Sequence, residues 1–131
     1  MKAVDTGVLL ALLEGSPKAR EQLRRLRGTE VATTEANLLE LGAIAAASPG
    51  RTRTNRLEVL ERLRQRLTVL PVDARSSREA SRLAGRAGDQ LTPHVLGMLG
   101  ALEAAGCQEL LTDDAALRGG AWSFRVRVVT L

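Results

Sequence analysis

Aromatic side chains are nearly missing from this 131-residue chain: Trp122 and Phe124 are present, and there is no Tyr. Proteins that read single-stranded nucleic acid by stacking bases on rings carry several such side chains. If nucleic acid is the partner here, its phosphates are the better handle. Cysteine is as scarce. Cys107 stands alone, which excludes an internal disulfide and suits a reducing cytoplasm. With one His and no CxxC pair, a Cys/His zinc site is ruled out as well. No apolar run reaches the roughly 18 residues of a membrane span, and Asp5 interrupts the first apolar stretch too early for a secretory leader. Together these absences predict a cytoplasmic protein with no membrane segment. Lysine occurs only at Lys2 and Lys18, so the net charge of +4 rests on arginine. That balance permits attraction to nucleic acid, a membrane surface or an acidic protein, and it is equally the signature of an Arg-rich genome composition.

What remains is ordinary for a globular protein: 44% hydrophobic and 26% charged residues. The length suits one domain over residues 1–131, large enough for a core. The chain is organised around its first stretch, Lys2 to Leu13. Ala3 and Val4 begin a strand, Val8 to Leu13 read as an apolar helix, and Asp5 at the joint is the only charge between Ala3 and Leu13. Holding a carboxylate charged in such surroundings costs several kcal/mol unless a partner or a metal compensates. Asp5 is either a helix N-cap, for which Asp is well suited, or part of a site.

Further along, Ser16 and Pro17 open a basic helix over Lys18–Arg27, with Leu23 and Leu26 inward and Arg20, Arg24, Arg25 and Arg27 outward. Glu30–Thr33 is β-prone, and Thr34 leads into the apolar helix Ala36–Ala47. There Glu40 is the only charge between Ala36 and Gly50, repeating the pattern of Asp5. Ser48–Asn55 reads as a basic loop. Arg56–Leu67 is amphipathic, with Leu57, Leu60, Leu63 and Leu67 at helical spacing, as core or as a surface for a partner helix. Thr68–Val72 is a third strand. Ser76 or Ser77 caps a helix ending near Ala87, with Ala80, Leu83, Ala84 and Ala87 inward. Thr92, Pro93 and His94 form a strong helix start, and His94 is the only ionisable group between Gln90 and Leu102. Glu109–Thr112 is a fourth strand, met by Asp113 and Asp114 and a short helix to Leu117. Arg125–Leu131 closes the chain as a β-rich run.

Alternating short strands and helices predict an α/β fold around a mostly parallel sheet. In such sheets, groups just past the carboxyl ends of strands share a crevice. Asp5, Asp113 and Asp114 follow strands, Glu40 lies in the helix after the second, and His94 opens the helix before the fourth. Several carboxylates in one crevice repel one another, and a hard divalent cation is the usual reason to tolerate them. Other α/β enzymes fail on particular residues. There is no Gly-rich phosphate loop, no Gly-x-Ser-x-Gly elbow, no second acid at the first strand for a phosphotransferase, and no base for Cys107.

Val4-Asp5-Thr6 running into Val8-Leu9-Leu10, then Asn37-Leu38-Leu39-Glu40-Leu41-Gly42, then Leu111-Thr112-Asp113-Asp114 resemble the PIN-domain nucleases. The similarity is greatest to the compact VapC-like toxin ribonucleases of prokaryotic toxin–antitoxin pairs. The resemblance implies a three-layer α/β/α sandwich and Mg²⁺- or Mn²⁺-dependent cleavage of RNA phosphodiesters by activated water. Carried over by motif, Asp5, Glu40 and Asp114 are catalytic metal-site acids, Asp113 shares that role, and Thr6 and Thr112 are supporting hydroxyls. The pattern departs at His94, which stands where an acid is expected; it is a poor ligand for Mg²⁺ and an acceptable one for Mn²⁺. Asp89 in the preceding turn is an alternative source of that carboxylate. The resemblance also implies RNA as substrate, a small antitoxin as partner, and a homodimer for which the Leu57–Leu67 helix is one candidate surface. The alternative is a degenerate PIN domain that binds RNA or protein without catalysis.

Overall fold

A computed structural model describes residues 1–117 and 125–130. Five short strands, β1 (Lys2–Val4), β2 (Val31–Thr34), β3 (Thr68–Leu70), β4 (Glu109–Thr112) and β5 (Arg127–Thr130), form one sheet in the order β3-β2-β1-β4-β5. Every pairing is parallel. Among the described residues they are accompanied by six α-helices: α1 (Thr6–Leu13), α2 (Pro17–Arg25), α3 (Glu35–Ala46), α4 (Gly50–Arg66), α5 (Ala74–Ala87) and α6 (Pro93–Ala104).

The two-residue period of the strands separates two cores. Ala3 and Leu110 join a cluster with Leu83, Ala87, Met98, Leu99 and Leu102 of α5 and α6. Val4 and Leu111, one residue further along, join Val8, Leu9, Leu38, Leu41 and Leu60 of α1, α3 and α4. Helices therefore cover both faces, which is the expected three-layer α/β/α sandwich. The α5–α6 contact admits no side chain at Gly100. A methyl group there would lie 2.8 Å from the Ala80 backbone nitrogen and 2.9 Å from its Cβ.

Several boundaries differ from expectation for local reasons. The basic segment read as a loop is helical from Gly50, making α4 a 17-residue helix. Its arginines hold it in place: Arg53 donates to the Ser48 carbonyl at 3.0 Å, and Arg56 to the Ser48 hydroxyl at 2.8 Å. Along α4, Leu60 is buried and Leu63 and Leu67 pack partly against the core, whereas Leu57 is exposed. β3 stops at Leu70 because Pro71 has no N–H to give the ladder. α5 is capped by Asp73 rather than by Ser76 or Ser77. Ser76 is instead the return half of a capping box, its hydroxyl accepting the Asp73 N–H at 2.7 Å. β5 runs through Thr130, and Leu131 lies outside the described residues.

Candidate active site at the switch point of the sheet

β1 is the central strand, and the chain steps outward from it on both sides. β2 and β3 lie to one side, β4 and β5 to the other. At such a switch point the carboxyl ends of the two flanking strands open a crevice. Here it is a cleft of about 810 Å³ whose lining includes Asp5, Thr6, Glu40, His94, Asp113 and Asp114. The residues singled out from sequence thus share one cavity, apart from Thr112, which lies buried beneath it and bonds to Asp5. Asp89 is not among the lining residues; its neighbour Gln90 is. Among the described residues no Lys or Arg lines the cleft, so its fixed charge is carboxylate.

Asp5 both caps α1 and lines the cleft. Extended backbone at Asp5 lets its Oδ1 accept the Val8 N–H at 3.1 Å, capping α1. Its Oδ2 accepts the Thr112 hydroxyl, joining β1 to β4 across the cleft floor. Burial pushes the Asp5 carboxyl above its ordinary range. The Thr112 and Val8 hydrogen bonds pull it back, and the charges of Asp113 and Asp114 push it up again. The Thr112 hydroxyl also accepts the Asp114 N–H at 3.0 Å.

The opposite wall is built from α3. Thr6 donates to Asn37 Oδ1 at 3.1 Å, Asn37 Nδ2 donates to the Thr33 hydroxyl at 3.3 Å, and that hydroxyl donates to the Val4 carbonyl at 3.0 Å. Asn37 is buried and lines the cleft. It was not singled out from sequence, although the signal was there: it precedes Glu40 by one helical turn and so shares its face. Glu40 itself, half exposed, meets His94 with its Oε2 2.5 Å from Nε2. α3 and α6 are thereby clasped across the mouth of the cleft.

The acids share the cavity without forming a ligand shell. Among the described residues no three His, Cys, Asp or Glu groups stand together so as to hold one ion. Glu40 is drawn to His94, and Asp114 Oδ1 accepts the Ala116 N–H at 2.9 Å, capping the turn at Ala115–Leu117.

A model of the PIN domain family matches residues 2–118. The chain belongs to the PIN domain family. The fold agrees with solved structures over nearly the full length of both chains. The structure of VapBC2 from Rickettsia felis bound to a DNA fragment from its promoter gives a TM-score of 0.80 at 13% identity, covering 99% of this chain and 98% of that one. VapBC-5 from Mycobacterium tuberculosis, of the VapBC family of toxin-antitoxin systems, gives 0.70 at 27% identity, with 99% and 98% covered. VapC20 of Mycobacterium tuberculosis, a sarcin-ricin loop cleaving toxin, gives 0.67 at 20% identity, with 97% and 99% covered. Comparison with curated proteins finds no match. Among the described residues of this PIN domain, no helix is long and apolar enough to cross a membrane.

Proposed function

We propose that this PIN domain is a metal-dependent endoribonuclease and the toxin of a toxin–antitoxin pair. The observation that carries the reading is the gathering of Asp5, Glu40, Asp113 and Asp114 around one cleft at the switch point of a PIN fold. Carboxylates facing a phosphodiester repel it, so a cleft lined in this way needs a cation between protein and substrate. The donors fit a hard divalent ion. Mg²⁺ keeps most of its waters and asks for only one or two protein carboxylates. Each Asp5 oxygen accepts one hydrogen bond and retains a further lone pair.

Asp5 and Asp114 would hold Mg²⁺ or Mn²⁺ with Asp113 close by, and Glu40 would join once released from His94. His94 would favour Mn²⁺ if its ring nitrogen took part. The bound ion supplies activation of water and neutralisation of charge on the phosphate. Thr112 and Thr6 orient Asp5 and the Asn37–Glu40 wall by their hydrogen bonds. Hydrolysis leaves a 5′-phosphate and a 3′-hydroxyl. The toxin assignment is supported by the similarity to VapBC-5 at 27% identity, with a small antitoxin as partner. A homodimer is a further expectation, and the half-exposed leucines of α4 are its candidate surface.

The test is cleavage of RNA with Mg²⁺ or Mn²⁺, wild type beside Asp5→Asn. Metal-dependent cleavage lost in the variant is the expected outcome; equal cleavage by both proteins overturns the reading. One observation favours a second reading, a PIN domain that binds RNA or a protein without cutting. His94 occupies Glu40, and among the described residues no three ligating groups converge. RNA binding with no cleavage in either ion would select it.

A further inference from the structure

The cleft meets an RNA backbone with carboxylates, and among the described residues neither lysine nor arginine lines it. Long-range attraction of a polyanion to such a cleft has to come from outside it. We propose that the exposed arginine row of α5, Arg75, Arg78, Arg82 and Arg86, is the rail along which single-stranded RNA lies as it enters the cleft. The proposal rests on RNA as the substrate, as read above, and deepens that reading by naming the surface that holds it.

Helical geometry sets α5 apart. At 3.6 residues per turn its four arginines fall within about 80° of the helix circumference, and all four are exposed. On the same count the arginines of α2 spread over about 140° and those of α4 over about 220°. Beside the row runs a second one, Ala74, Ser77, Ser81 and Gly85, also exposed and uncharged. Small side chains there leave room for a sugar–phosphate backbone to lie close to the helix with its phosphates turned to the guanidiniums.

The row is costly to the helix that carries it. Arg78 and Arg82, and again Arg82 and Arg86, are like charges four residues apart, which repel across one turn. Arg75 stands in the first turn, where the helix dipole disfavours a cation. α5 itself supplies one acid, Glu79, which pairs with Arg82 at 3.0 Å. A guanidinium has five donors, so that pair leaves Arg82 able to meet a phosphate.

Position ties the row to the site. The turn after α5 carries Gln90, Leu91 and Thr92, which line the cleft, whereas no described residue of α2 or α4 does. Arg86 is four residues from Gln90, at most about 14 Å of chain. From Arg86 the row leads back to Arg75 over about 16 Å, the rise of about five stacked nucleotides.

The test is fluorescence anisotropy of labelled oligouridylate over a series of salt concentrations, in EDTA so that neither cleavage nor metal binding enters. Arg75→Gln, Arg78→Gln, Arg82→Gln and Arg86→Gln should each flatten the slope of log affinity against log salt by about 0.7, the value per phosphate neutralised on a single strand, and all four together by about 2.8. Arg78→Lys should keep the wild-type slope, because charge sets it, and Arg24→Gln on α2 should leave it unchanged. With Mn²⁺ present, the fourfold variant should raise KM for RNA and keep kcat; circular dichroism checks its fold. A wild-type slope in the fourfold variant, beside normal cleavage, overturns the rail and leaves the nuclease reading standing. Binding of polyglutamate but not of oligouridylate makes an acidic protein the partner and overturns it as well. A rail-dependent slope with no cleavage in either ion supports the rail and overturns the nuclease reading.

Discussion

Two helices of this PIN domain start on an aspartate, α1 on Asp5 and α5 on Asp73. In each the carboxylate accepts the N–H of the third helical residue, Val8 at 3.1 Å and Ser76 at 3.0 Å. The local chemistry is the same, yet the fold moves the two groups in opposite directions. Hydrogen bonds to Ser76 and Arg75 hold the exposed Asp73 carboxyl below its ordinary value. Burial, with Asp113 and Asp114 adding their charge, holds Asp5 above it. Asp73 stabilises α5 at no cost elsewhere. Asp5 caps α1 while carrying a charge that its surroundings resist, and a perturbed acid in a cleft is what the proposed chemistry calls for.

The comparison breaks most visibly in activity. Asp5→Asn should keep the cap and the fold, since Asn caps α1 equally well. RNA cleavage should fall by about 10²-fold or more, the scale of losing a charge-stabilising group in an active site. Asp73→Asn should cleave as wild type. Equal cleavage by the two variants in a gel assay would erase the distinction.

Ligand linkage should give the next effect. Mn²⁺ at a hundred times its dissociation constant should stabilise wild type and Asp73→Asn by about 2.7 kcal/mol through mass action. Asp5→Asn should gain nothing, as read by thermal melts with and without the ion. Smaller again is Thr112→Val. It removes the donor to Asp5, in a buried bond, and the acceptor for the Asp114 N–H, in a part-buried one. Denaturant melts should show a loss of about 1–3 kcal/mol, the cost of orphaning buried polar groups.

The smallest effect, and the sharpest in sign, is the pH dependence. Asp5 binds its proton more tightly folded than unfolded, so its contribution to stability falls as pH rises from 3.8 through its raised value, then stays flat. Asp73 binds its proton less tightly folded, so its contribution is present above 3.8 and lost as pH falls below it. Melting temperatures between pH 3 and 7 should therefore respond oppositely to the two substitutions. Asp5→Asn should relieve a loss above 3.8, and Asp73→Asn should remove a gain.

The sequence showed the site more readily than it showed the mouth of the cleft. Asp5 and Glu40 stood out as single charges in apolar stretches, and the Thr92-Pro93 start correctly placed His94 in the first turn of α6. Hydrophobic periodicity located each strand and most helices. It missed the start of α4, because Gly50 to Asn55 carry no apolar residue to set a period. It missed the Asp73 cap because Ser76 and Ser77 offered equally good caps by residue type, and only the reciprocal bond decides. The Glu40–His94 clasp depends on α3 lying beside α6, and the Thr112–Asp5 bond depends on β4 lying beside β1. Neither adjacency follows from local sequence, because both are set by the order of strands in the sheet.

That order has a consequence in time. The bond between Thr112 and Asp5 closes a separation of 107 residues, and β1 cannot acquire its β4 neighbour until residues 109–112 are made. β1 and β2 are translated before β4, so Asp5 is made well before the Asp113 and Asp114 with which it shares the cleft. A chain ending before β4 would hold three of the five described strands, with Asp5 and Glu40 but neither Asp113 nor Asp114. For a protein proposed to cut RNA, synthesis is thus its own safety catch: the cleft is assembled by the last strands to arrive.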